Sequence, residues 1–163
     1  MDTAPTPSLL FVCLGNICRS PLAEGALRAE AARRGVALVV DSAGTGNWHA
    51  GEPPDERAIA VAARNGVDIT ALRARQVTRA DFARFDHIVA LDHANLKDLR
   101  RLAPADGTAR LSLLLDWVPG RAGQAVADPW FGEAEGFDAT WADAAAAARA
   151  IVERLSKDAS AAP

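Results

Sequence analysis

Short apolar runs alternate with longer helix-patterned segments along this chain, and that order admits few folds. Leu9-Leu10-Phe11-Val12 is apolar at every position, which suits a strand covered on both faces. A loop follows, and Pro21 sits where a first helical turn tolerates a missing N–H. Residues 21–34 place Leu22, Gly25, Ala26, Ala29 and Ala32 on one helical face, and Gly35 closes that helix. A second apolar run at 36–40 ends in Asp41-Ser42-Ala43-Gly44, a second helix covers 54–65, and a third run lies at 87–91. Residues 92–102 read as a third helix ahead of Pro104, 109–115 as a fourth run, and 137–156 as a last, alanine-rich helix. Parallel strands need crossovers of this length, so the pattern predicts an α/β fold with helices on both faces of a parallel sheet. Ligands of such sheets gather beyond the carboxyl ends of the strands, here residues 13–20, 42–49 and Leu91-Asp92.

At 163 residues the chain has the length of one domain, spanning 1–163 with its core at about 9–155. Half the residues are hydrophobic and 24% are charged, so neither a disordered tail nor a fibre is indicated. A chain of this size buries roughly 70% of its unfolded surface, enough for a core without staples. The net charge of -3 gives no basic field, so neither nucleic acid nor a membrane is an expected partner. Residues 1–8 hold no Lys, Arg or long apolar run, which predicts a cytoplasmic protein, although export without a signal peptide is compatible with the same residues. Residues 3–7 read as a flexible lead-in and 159–163 as a frayed end. Two cysteines exclude a disulfide scaffold and a four-cysteine zinc site. His49, His87 and His93 lack metal-ligand spacing and read as surface or packing residues, so no metal or other cofactor is expected. A monomer is the expected state.

The least generic segment is Cys13-Leu14-Gly15-Asn16-Ile17-Cys18-Arg19-Ser20-Pro21. A loop wrapped at the start of a helix turns backbone N–H groups inward and makes an anion site that the helix dipole reinforces. Gly15 allows close backbone approach to a ligand, and Asn16 tolerates a left-handed conformation. The same field favours the thiolate of Cys13, the nucleophilic form. Arg19 offers a planar fork for two phosphate oxygens, and Ser20 can donate its hydroxyl to the thiolate. A nucleophile, a cradle for phosphate or another oxyanion, and a clamp therefore lie within eight residues. The Walker nucleotide loop is absent.

Val12 to Pro21 closely resembles the signature of the low-molecular-weight protein tyrosine phosphatases. The likeness continues through residues 41–49, 51–58 and 74–76, Asp81-Phe82, Phe85-Asp86, Leu91-Asp92, Asn95-Leu96 and Asp128-Pro129-Trp130, and covers about residues 9–155. The resemblance implies a flavodoxin-like three-layer sandwich, with a four-stranded parallel sheet of order 2-1-3-4 and about five helices. It also implies metal-free hydrolysis of phosphotyrosine in proteins through a phosphocysteine. Asp128 matches the family's general acid, which protonates the departing phenolic oxygen. Trp48 would form one wall of a slot for the phenyl ring, with Leu14 and Ile17 contributing from the phosphate loop. Ser42 would hydrogen-bond Asn16, and Asp92 would pair with Arg19 or cap a helix. Cys18 is either a redox partner of Cys13 or a packing residue.

The departures from the family pattern carry expectations of their own. Leu72 stands where many relatives have a histidine supporting the loop asparagine, which puts the Ser42–Asn16 contact in question. Trp130 and Phe131 replace tandem tyrosines, so the aromatic wall persists while phosphorylation of those tyrosines has no target; the chain has no tyrosine at all. Two other readings share the oxyanion loop. A thioredoxin-coupled arsenate reductase would need further cysteines to relay a disulfide, and none exists beyond Cys18. A non-catalytic phosphoprotein-binding module would have no use for Cys13, Arg19 and Asp128 together.

Overall fold

The computed structural model describes residues 5–161, and side chains through 157. The first apolar run forms β1 (Ser8–Cys13), every residue of which is buried. It is the second of four parallel strands in the order β2-β1-β3-β4, with β2 at Val39–Gly44, β3 at His87–Ala90 and β4 at Arg110–Leu113. Side chains alternate across a strand, so β1 feeds two cores. Leu9, Phe11 and Cys13 pack with α1 (Arg19–Arg34), α2 (Glu56–Arg64) and α5 (Glu135–Ala161) on one face. Leu10 and Val12 pack on the other with Phe82 of α3 (Asp81–Arg84) and with Leu96 and Leu99 of α4 (His93–Leu102). Burial of each large apolar side chain contributes roughly 1.5–3 kcal/mol, which makes β1 the centre of the molecule. This is the flavodoxin-like arrangement expected. Among the described residues no helix is long and apolar enough to cross a membrane.

Several boundaries differ from the sequence reading for local reasons. α1 begins at Arg19, before Pro21, so Arg19 and Ser20 are already helical. β2 starts at Val39 rather than 36. The left-handed cap at Gly35 draws the Val36 N–H back to the Ala31 carbonyl at 2.9 Å, which keeps Val36 out of the sheet. α2 starts after Pro54, because Asp55 caps it by accepting from the Arg57 N–H. α3 has four residues, too few for any periodicity to show. The fourth run is divided between β4 and a 3-10 turn at Leu114–Trp117. The last helix runs from Glu135 to Ala161, through most of the stretch read as frayed; residues 162–163 lie outside the described residues. Of the lead-in, residues 3–4 also lie outside them, and the Pro7 carbonyl accepts from Val39 N at 2.9 Å.

Candidate active site

The phosphate loop, residues 14–18, leaves the carboxyl end of β1 and enters α1. Its carbonyls are bonded outward to the scaffold. Cys13 O accepts from Thr45 N at 2.9 Å, Leu14 O from Gly46 N at 3.0 Å, and Ile17 O from Asp55 N at 2.8 Å. A trans peptide points its N–H opposite to its C=O, and no peptide bond here is cis among the described residues. The N–H groups of Leu14, Gly15 and Cys18 are thereby turned to the inner side of the loop. Asn16 N–H points at Cys13 Sγ, 3.3 Å away, from a left-handed conformation with φ 58. The loop and the start of α1 make a concave donor surface around one sulfur atom.

A buried polar chain holds this curvature. Asn16 Nδ2 donates to Ser20 Oγ at 2.8 Å and to Ser42 Oγ at 3.0 Å, while its Oδ1 accepts from the Arg75 N–H at 2.9 Å. Ser42 in turn donates to Glu24 Oε1 at 2.7 Å, and Glu24 pairs with Arg28 at 2.8 Å. Burial pushes the Glu24 carboxyl up, against the pull of Ser42 and Arg28. With both Asn16 amide protons given away, Ser20 accepts from Asn16 and can direct its own O–H at Cys13 Sγ, 3.0 Å away. The missing histidine at Leu72 therefore does not cost the Ser42–Asn16 contact. Leu72 packs on the core, and a backbone N–H from Arg75 carries the asparagine oxygen.

Arg19 is 4% exposed, and its guanidinium is held by three groups of the protein. One terminal nitrogen donates to Asp92 Oδ2 at 2.7 Å and to the Val126 carbonyl at 3.0 Å. The other lies 3.6 Å from Asp128 Oδ2. Asp92 does two things, since its Oδ1 also accepts from Asn95 N at 2.8 Å as the cap of α4. Asp128 is 42% exposed, and its Oδ1 accepts from the Trp130 N–H at 3.1 Å.

One cleft is lined by Cys13, Arg19 and Asp128, with walls from Leu14, Ile17, Trp48 and Trp130. Cys18 and His49 also line it. Phe131 is 92% exposed and is not among the lining residues. The aromatic wall is therefore Trp48 and Trp130, not the Trp130-Phe131 pair. His49, read above as surface or packing, contributes to the cleft instead. Its Nδ1 lies 3.1 Å from Glu52, its ring is 6.0 Å from Trp130, and a Cβ on Gly15 would meet it at 3.1 Å. Gly15 thus makes room for His49, a contact between residues too far apart in sequence for spacing to reveal. Glu24, Arg57 and Arg75 were missed for the same reason. Cys18 is buried, and desolvation together with the Asp55 carboxylate and the Cys13 sulfur pushes its thiol far above the ordinary range.

A parallel α/β sheet that carries a cysteine inside an oxyanion cradle, with an arginine and a carboxyl at its mouth, defines a phosphatase-like class of site. A family model described as low molecular weight phosphotyrosine protein phosphatase matches residues 8–161, and the chain belongs to that family. The low molecular weight protein-tyrosine-phosphatase YfkJ of Bacillus subtilis is 43% identical over 126 residues, 76% of this chain and 81% of the relative. The crystal structure of YfkJ superposes with a TM-score of 0.88 at 35% identity, covering 96% of this chain and 99% of the other. The low molecular weight phosphotyrosine protein phosphatase of Schizosaccharomyces pombe is 40% identical over 132 residues, 79% of this chain and 84% of the relative. A protein tyrosine phosphatase from Entamoeba histolytica, crystallised with Hepes in its active site, gives a TM-score of 0.88 at 30% identity, over 94% and 99% of the two chains.

Proposed function

We propose that this chain hydrolyses phosphotyrosine in proteins, and simple aryl phosphates, through a phosphocysteine intermediate without a metal. The observation that carries the reading is the convergence of Cys13 Sγ, the Arg19 guanidinium and the Asp128 carboxyl on one cleft walled by two tryptophans. In the first step the Cys13 thiolate attacks phosphorus in line. The phosphorus–oxygen bond to the phenol breaks, and Asp128 gives that oxygen its proton. Arg19 and the loop N–H groups hold the equatorial oxygens, supplying the charge neutralisation that dominates phosphoryl transfer. In the second step the Asp128 carboxylate takes a proton from water, the water oxygen attacks phosphorus, and the sulfur leaves as thiolate with inorganic phosphate as product. The Ser20 hydroxyl, 3.0 Å from the sulfur, stabilises that leaving group. Trp48 and Trp130 flank the aryl ring. Two free thiols fit a reducing compartment, and the reading places the enzyme in the cytoplasm.

Turnover of p-nitrophenyl phosphate in the presence of a chelator tests the proposal. Cys13→Ser should abolish turnover and keep phosphate affinity. Asp128→Ala should lower kcat/KM on phenyl phosphate on the order of 10²–10⁴-fold, and far less on esters with good leaving groups. An equal loss across leaving groups would remove Asp128 as the acid, and saturable binding without product would leave only a phosphoprotein-binding module.

A further inference from the structure

Between Val126, whose N–H is bonded to the Leu91 carbonyl at 2.8 Å, and the start of α5 lies the loop that carries Asp128. That loop is fastened through Trp130. Its carbonyl accepts from Arg57 Nη1 at 3.2 Å, and its ring lies under the Arg57 guanidinium at 5.4 Å. The same guanidinium is 4.7 Å from the ring of Phe137, buried in the first turn of α5. Its remaining nitrogens grip the α2 cap: Nε reaches Asp55 Oδ1 at 3.0 Å and Nη2 reaches Asp55 Oδ2 at 3.2 Å. Asp55 is itself anchored to the phosphate loop, its N–H donating to the Ile17 carbonyl at 2.8 Å. Burial works against the Asp55 carboxylate, yet the hydrogen bonds and charge of Arg57 hold it below the usual range, so the pair is ionised at neutral pH.

We infer that Arg57 is a positioning residue for the general acid. It forms a strap that runs from the phosphate loop through Asp55 and Arg57 to Trp130, whose N–H holds Asp128 Oδ1 at 3.1 Å. The physical reason is geometric. Cys13 and Asp128 come from distant parts of the chain, and proton transfer to a leaving oxygen tolerates little error in the distance between them. A planar fork with five donors and two stackable faces can hold a carboxylate, a carbonyl and two rings in one geometry; a lysine cannot.

The inference rests on the phosphatase reading, and the test separates the two. kcat and KM are measured for aryl phosphates of graded leaving-group quality, in Arg57→Ala, Arg57→Lys, Asp128→Ala and the Arg57→Ala/Asp128→Ala double variant. The rate of Cys13 alkylation by iodoacetate, and its protection by phosphate, report the phosphate loop independently. Arg57→Ala should lower kcat/KM about 10-fold or more on phenyl phosphate and much less on dinitrophenyl phosphate, with alkylation unchanged. Arg57→Lys should fall between Arg57→Ala and the wild type. In the Asp128→Ala background, loss of Arg57 should cost nothing further in kcat/KM. An equal loss across leaving groups, a further loss in the double variant, or slowed alkylation would assign Arg57 to general stability and overturn the inference. Absence of leaving-group dependence in Asp128→Ala itself would instead strike the phosphatase mechanism.

Discussion

Gly46 carries the Trp48 ring where a side chain would stand: a Cβ added there would fall 1.9 Å from Trp48 Cζ3. Its N–H is also the donor to the Leu14 carbonyl, so one residue both turns a loop amide inward and seats the aromatic wall. Gly46→Ala should tilt Trp48 off its platform and raise KM for aryl phosphates several-fold while leaving the denaturation midpoint nearly unchanged; steady-state kinetics beside a urea titration would check it. Cys18 presents the other decision at this scale. Held as a neutral thiol, it is a poor nucleophile toward ordinary electrophiles, but it lines the same cleft as the Cys13 sulfur. Peroxide should convert Cys13 to a sulfenic acid, and Cys18 should displace water from it to give a disulfide that added thiol reduces. Recovery of activity in dithiothreitol should be high in the wild type and low in Cys18→Ser; equal recovery would leave Cys18 as packing. The motif residues were legible in sequence because they are contiguous. Glu24 and His49 were not, since their partners Ser42 and Trp130 lie on other elements.

The smallest helix shows how an element supports the site from outside it. α3 is too short to persist alone, and it is held because Asp81, its first residue, has a fully buried side chain tied to residues ahead of the helix. Asp81 accepts from Thr78 N at 2.8 Å and from Arg75 Nη1 at 3.0 Å, and Arg75 also pairs with Asp41 at the middle of β2. Arg75 thus braces two elements while its backbone N–H holds Asn16. Burial alone would raise the Asp81 carboxyl, but the hydrogen bonds from Arg75 and Thr78 outweigh it and the net shift is downward. A carboxyl lowered on folding stabilises the native state above its unfolded value, near pH 4, and loses that contribution as pH falls through the folded value. Asp81→Asn should therefore cost about 2–3 kcal/mol at pH 7, and the difference from the wild type should shrink toward acid. Urea midpoints between pH 3 and 7 would show this, and a constant gap would contradict it. Glu24, raised by burial, works in the opposite sense: its share is full below the unfolded value and declines as pH rises.

At the scale of the whole molecule, the exposed large apolar side chains gather at the cleft. Leu14, Trp48 and Trp130 line it and Phe131 follows on the same loop, while Val39 and Leu102 lie apart from it. Three of these side chains belong to the cleft itself, and a stable dimer would need about 800 Å² per partner. Light scattering after gel filtration should return one chain of 17.1 kDa; a doubled mass would require an interface over the cleft. The alternation of strands and helices, the two-sided burial of β1 and the oxyanion loop were all determined by the sequence itself. Each depends on neighbours within a turn or two, where residue type and period dictate conformation. The wall of the cleft, the strap through Arg57 and the hold of the Arg75 backbone N–H on Asn16 were decided only in the tertiary structure. Those contacts join residues from separate elements, and their distances are set by how helices pack on the sheet, which no local pattern encodes.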